Sequence, residues 1–219
     1  MKHTLYISLL MFFVFSASAT KAQTKKYGNE KDAETLLRQT VTTLRKNAFQ
    51  SKFILDYYIS AEERTDSKIG SMNLKGRLFR VELLDTEIKF NGKTQWTYVA
   101  ADNEVTITQP SQSDLSETNP MAMIESMMGT NRIVNAEKSQ VRGFRAIVLY
   151  PNDPKKVEYF KIVIFINPET KLPKKIVINQ RNGDKISMSF LDLHKVSYNS
   201  SDFFFKVSEY PNVNVNDLR

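Results

Sequence analysis

The sequence predicts a mainly β protein with few helices: one strongly curved antiparallel sheet with a long helix and a short helix on its apolar face. Three observations predict it. From Ser51 onward, apolar side chains recur at every second position in about ten short runs joined by short links. One stretch with helical apolar spacing precedes them, and one methionine-rich stretch framed by Pro120 and Gly129 interrupts them.

In chain order, the first segment reads as a leader. Lys2 supplies a positive start, residues 5–15 are apolar but too short to span a bilayer, and small residues follow. Cleavage fits after Ala19 or Ala22, and the second is preferred. The expected division is a signal peptide over 1–22 and one domain over 23–219, an exported chain. Loss of Lys2 and Lys21 lowers the formal net charge from +7 to +5. That excess is compatible with anionic surfaces, and export argues against nucleic acid as a partner. The chain has no cysteine. A lipid-anchoring lipobox, disulfides, thiolate nucleophiles and Cys-held metals are therefore excluded.

Over residues 32 to about 47, Ala33, Leu37, Val41, Leu44 and Ala48 recur on one helical stripe, with Asn29 or Asp32 to cap the start and Arg45 and Lys46 at the end. A helix apolar on one face packs on a sheet. Strand patterns follow at 51–59, 74–83, 87–90, 94–100 and 104–108, with Asn91-Gly92 as a hairpin turn. They resume at 132–141, 143–150, 157–167, 173–180 and 185–193, with Asn182-Gly183 as a second turn, and 203–206 adds a last short strand. The expectation is a single antiparallel meander.

Residues 110–130 break the pattern. Asn119 suits an N-cap, Pro120 the first helical position and Gly129 the end. On that helix Met121, Ile124, Met127 and Met128 cluster, with Met123 and Glu125 at the flanks. Methionine conforms to irregular apolar partners, and a helix this short needs packing to persist. Two readings stand side by side: a movable lid, or a core helix that plugs one end of the sheet. The apolar parity set of the strands is Phe53, Leu55, Tyr57, Phe79, Val81, Ile88, Phe90, Trp96, Tyr98, Val105 and Ile107. Two helices are a scant cover for it. Either the sheet closes on itself, or an apolar hollow suited to lipid remains.

Catalytic chemistry is hard to find. His194 is the one histidine after the leader, and the metalloprotease, nucleophile-elbow and phosphate-loop motifs are absent. The expectation is no catalytic residue, no metal and no cofactor. The basic-aromatic run 155–161 reads as an exposed strand face.

Three stretches carry a family resemblance. Phe90-Asn91-Gly92-Lys93-Thr94-Gln95-Trp96-Thr97-Tyr98 is similar to an Asp-Gly-Lys-Thr-x-Trp-x-Tyr hairpin. Thr118-Asn119-Pro120-Met121-Ala122-Met123-Ile124 looks like the start of a lid helix. Phe203-Phe204-Phe205, then Tyr210-Pro211-Asn212 and Val213-Asn214-Val215-Asn216-Asp217, resembles a terminal Phe-x-Phe, turn and Val-x-Val-x-Asp segment. In this order they resemble the LolA family of periplasmic outer-membrane lipoprotein carriers. The resemblance implies an open, incomplete antiparallel β-barrel with helices over its concave apolar face. It also implies acylated lipoprotein cargo, an inner-membrane ABC-type exporter that supplies it and an outer-membrane acceptor; the oligomeric state stays open, and a shuttle works most simply as a monomer. The side chains expected to meet acyl chains are Phe53, Leu55, Tyr57, Phe79, Val81, Ile88, Phe90, Trp96, Tyr98, Met121, Met123, Ile124, Met127 and Met128. The family holds its lid with an arginine on an early strand. Here the usual Lys-Arg-Pro pattern is absent, and Arg77 and Arg80 are the candidates. A carrier of glycolipid or another apolar metabolite, and a domain that senses lipoprotein, are the alternative readings.

Overall fold

The computed structural model describes residues 30–111, 114–115, 119–136 and 138–219. The expected leader falls outside them. Helix α1 (Glu30–Lys46) buries Ala33, Leu36, Leu37, Thr40, Val41 and Leu44 on one face. Glu30 and Asp32 in its first turn and Arg45 and Lys46 in its last complement the helix dipole.

The strands are β1 (Ala48–Ile59), β2 (Arg64–Lys75), β3 (Leu78–Leu83), β4 (Thr86–Phe90), β5 (Gln95–Val99) and β6 (Glu104–Thr108). Helix α2 (Pro120–Thr130) follows. Then come β7 (Asn131–Asn135), β8 (Arg145–Pro151), β9 (Tyr159–Ile166), β10 (Pro173–Gln180), β11 (Lys185–Phe190), β12 (His194–Val196) and β13 (Asn214–Asp217). All belong to one sheet ordered β13-β6-β5-β4-β3-β2-β1-β11-β10-β9-β8-β7, with β12 on β1. β7 and β13 are its two edges, so this is an open, curled antiparallel sheet rather than a closed barrel.

The expected single meander is corrected in three respects. The chain makes two meanders, β1–β6 and β7–β11, spliced where β1 pairs β11. Residues 74–83 are two strands, because Gly76 (φ +60°) turns the chain between β2 and β3. The last strand is not 203–206: Phe203 ends a 3₁₀ turn, and β13 lies parallel to β6 further on.

Cross-strand partners share a face. Phe53 opposes Phe190 and Gly70; Phe79 opposes Leu74 and Phe90; Ile164 opposes Ile147 and Ile176. These side chains line the concave face, where α1 and α2 cover them and the main core forms. A second, smaller core sits on the outer face: Trp96, Val105, Ile107 and Phe205, with Tyr98, Tyr210 and Val213 against it.

Candidate functional site

The concave recess under α2 is the candidate site, and α2 is its cover. Asn119 is 4% exposed and its Oδ1 accepts from Ala122 N at 3.4 Å, the N-cap position read from sequence. At the other end Asn131 Nδ2 donates to the Met127 carbonyl at 2.9 Å, which satisfies one of the helix's last free acceptors. Tyr159 Oη donates in turn to Asn131 Oδ1 at 3.0 Å, and burial pushes the Tyr159 phenol above its ordinary value. In mid-helix, Glu125 Oε1 lies 2.5 Å from Arg45 Nη2 in the last turn of α1. Two asparagine caps and one ion pair therefore place α2.

Its inner side packs on the main core. Ile124 is 1% exposed and Ala122 is buried, whereas Met123, Met127 and Met128 are only partly buried. Met121 belongs to the helix, but its side chain lies outside the described residues. The concave face is filled: Phe49, Phe53, Phe79, Ile147, Leu149, Ile162 and Ile164 are each 1% exposed or less and share one core with Ile124 of α2. Around this floor Tyr57, Val81, Leu83, Ile88, Ile178, Ile186 and Met188 are partly buried apolar side chains. Burial raises the Tyr57 phenol as well. The hollow left open by the sequence is thus occupied in this state by side chains of α1, α2 and the sheet. An open pocket of about 190 Å³ lies elsewhere, between α1 and the β9–β10 turn, lined by Asp32, Thr35, Leu36, Gln39, Arg145, Pro168 and Lys171.

Phe53, Leu55, Tyr57, Phe79, Val81, Ile88, Phe90, Met123, Ile124, Met127 and Met128 all come together in or against the main core. Trp96 and Tyr98 do not. Register sets Trp96 beside Lys89 and Tyr98 beside Glu87, one position out of phase with Ile88 and Phe90. Both rings face outward, with Val105 and Ile107, under the C-terminal segment. Their grouping with the concave set is corrected.

Arg80 is likewise corrected as a holder of the lid. It pairs with Lys89 across β3–β4 on the outer face and forms ion pairs there with Glu82 and Glu87. Arg77 is exposed in the β2–β3 turn. Among the described residues Arg45, on α1, is an arginine that reaches α2, through Glu125. It was legible only as a charge that suits a helix end, and its partner Glu125 only as a flank of the methionine cluster.

The outer core has its own polar lock. Tyr210 Oη donates to Glu87 Oε2 at 2.5 Å, and Lys89 Nζ lies 3.3 Å from Glu87 Oε1. Burial, then the hydrogen bond to Glu87, raises the Tyr210 phenol far above its ordinary value.

Against known proteins, residues 31–167 match the family described as outer membrane lipoprotein carrier protein LolA. The chain belongs to the LolA family. No curated protein matches it in sequence. Among solved structures it is similar to a conserved protein from Thermus thermophilus, at 11% identity and TM-score 0.58, over 84% of this chain and 98% of that one. It is also similar to a LolA superfamily protein from Nitrosomonas europaea, at 12% identity and TM-score 0.42, over 79% and 97%. The MucA/MucB complex of Pseudomonas aeruginosa gives 15% identity and TM-score 0.46, over 80% and 62%. The Thermus likeness shows the shared fold. This LolA-family chain thus carries an open sheet, an α1-α2 cover and a concave apolar core.

Proposed function

We propose that this chain is an exported, periplasmic, non-enzymatic carrier that shelters the acyl chains of lipoproteins between its concave sheet and α2. It receives them from an inner-membrane ABC-type exporter and yields them to an outer-membrane acceptor. The observation that carries the reading is the cover itself: three partly buried methionines on a short helix whose mid-point is held by one half-exposed ion pair.

The magnitudes favour displacement by lipid. An exposed pair contributes about 0.2–1 kcal/mol, whereas burying one methylene contributes about 0.8 kcal/mol. An acyl chain that inserts even a few methylenes outweighs the pair. It also replaces the apolar contacts that α2 gives up. Because the recess is filled in the closed state, cargo and α2 compete for the same surface. The carrier then releases cargo when an acceptor offers a better apolar surface, and α2 returns.

The test is depletion of the protein in its own cell, followed by separation of the two membranes. Lipoproteins held back at the inner membrane are the expected result. Unchanged lipoprotein distribution, with a glycolipid or other apolar metabolite displaced instead, overturns the cargo assignment.

A further inference from the structure

The outer face of β1, β2, β9, β10 and β11 lies on the opposite side of the sheet from the recess. Register places Lys161 beside Asn179, Asn179 beside Lys185, and Lys185 beside Tyr58 on that face. Lys175 stands there beside Ser189. Lys52 and Lys185 are exposed, and Lys161 and Lys175 are partly buried. A fifth lysine, Lys75, donates to the Tyr198 carbonyl at 2.6 Å. Within the strands of this face one acid opposes them, Asp56, whose carboxylate accepts the hydroxyls of Ser67 and Ser187 at 2.6 and 3.3 Å, while at the strand ends Asp192 and Asp184 accept the backbone N–H groups of Lys52 and Ser60 at 2.7 and 2.8 Å. At the border with β3, Ser71 donates to Glu82 at 3.1 Å.

Apolar side chains are interleaved with this charge. The register shift between Asn179 and Gln180 leaves Phe160 as the extra residue of β9, a bulge that puts it beside Lys161. Phe160 is 46% exposed, with Lys161 Nζ 5.8 Å from its ring centre. Lys185 Nζ lies 5.3 Å from the Tyr58 ring centre. Ile69 is 68% exposed, more than any other large apolar residue among those described.

We propose that this face docks on an anionic phospholipid bilayer, with the lysines at the phosphates and Phe160 and Ile69 at the interfacial level. Two features favour a bilayer over a protein. The cations here are lysines, adaptable point charges, whereas protein interfaces are enriched in arginine and depleted of lysine. The two most exposed apolar side chains of the face, Phe160 and Ile69, stand apart on its strands, and Ile69 has the partly buried Ile54 opposite it, rather than being gathered around a pocket for a partner's anchor residue. Aromatic rings beside lysines are the composition of a membrane interface. Docked in this way, the protein turns α2 away from the bilayer, so the cover stays free to move. The inference does not depend on what cargo the recess takes.

The test is co-sedimentation of the protein, lacking residues 1–22, with phosphatidylcholine vesicles and with vesicles that also contain phosphatidylglycerol. Binding only to the second kind is expected, and it weakens as salt shortens the Debye length. Each lysine near an anionic surface is worth about fivefold in affinity, so Lys161→Gln, Lys175→Gln and Lys185→Gln together lower it about a hundredfold. Replacing the exposed Lys46, Lys93 and Lys138 by Gln, all away from this face, leaves binding within a few-fold. If circular dichroism shows that the triple variant does not fold, Lys185→Gln alone is read against its about fivefold loss. Any of four results overturns the proposal: no binding to phosphatidylglycerol vesicles at low salt, equal binding to both vesicles, equal loss in the two triple variants, or capture by polyglutamate without capture by vesicles.

Discussion

Arg45 and Glu125 join the last turn of α1 to the middle of α2, Nη2 to Oε1 at 2.5 Å, across 80 residues of sequence. Their side chains are 59% and 25% exposed, so the pair lies in the range of about 0.2–1 kcal/mol. Glu125→Gln should therefore raise the opening of α2 by up to about fivefold and leave the sheet untouched. Amide hydrogen exchange reads this directly: faster exchange in residues 122–130, unchanged exchange in β1 and β9. High salt should reproduce part of the effect in the parent protein and none of it in the variant. Equal α2 exchange in parent and variant would rule out the pair as a latch.

Phe53 closes over Gly70. The two residues oppose each other in the β1–β2 ladder, and a Cβ built on Gly70 would lie 2.3 Å from Phe53 Cζ and 2.6 Å from the Glu82 carbonyl oxygen. The ring is 1% exposed and cannot retreat without disturbing Phe190, its other cross-strand neighbour. Gly70→Ala should destabilise the fold by about 1–3 kcal/mol, the cost of overpacking a core. Thermal unfolding measures it, and the double variant Gly70→Ala, Phe53→Leu should recover part of the loss. A melting temperature unchanged by Gly70→Ala would show that the sheet yields there.

The C-terminal segment is held by Tyr210 on Glu87. Removing the hydroxyl in Tyr210→Phe leaves a buried carboxylate with one partner fewer, at a cost of about 1–3 kcal/mol. Trp96 is the one tryptophan of the chain and lies in the same outer core, so its fluorescence follows release of the segment. Alkaline pH should act at the same place. Tyr210 is raised by burial and by Glu87, and Tyr57, Tyr159 and Tyr198 are raised by burial. The fold thus keeps protons that the unfolded chain gives up near pH 10. The stability they contribute is full below that pH and declines as pH climbs toward the folded values. Tyr210→Phe should flatten the decline seen between about pH 10 and 12, and an unaltered profile would show that Tyr210 is not among its causes.

Local signals in the sequence were reliable guides to local structure. The stripe on α1, the Asn119-Pro120 start of α2 and the Asn91 turn, whose Oδ1 accepts from Lys93 N and Thr94 N at 3.0 and 2.8 Å, all follow from neighbouring residues. What depends on register was not legible. Trp96 and Tyr98 alternate as a concave strand would, yet the pairing of Lys89 with Trp96 puts them outside. Glu87 and Lys89 look like a solvent face but are 8% and 6% exposed, because the C-terminal segment folds back over them. β2 was hidden for the opposite reason. Its first half, from Arg64 to Ile69, is largely exposed and carries no apolar alternation. The pairing of Arg45 with Glu125 joins two helices that no short-range pattern connects.

The division into two cores gives the last prediction its control. If acyl chains enter beneath α2, the concave side chains matter and the outer ones do not. Met123→Ser, Met127→Ser and Met128→Ser together remove three partly buried thioethers from the inner side of the cover. Each loses about 1–2 kcal/mol of favourable burial against an acyl chain, so binding of a fluorescent fatty-acyl probe should fall at least about a hundredfold while circular dichroism of the sheet is preserved. Trp96→Phe keeps the aromatic bulk of the outer core and should leave probe affinity within about twofold, even though Trp96 belongs to the hairpin on which the family resemblance partly rests. The reverse pattern, with Trp96 essential and the methionines dispensable, would move the binding site to the outer face beneath the C-terminal segment.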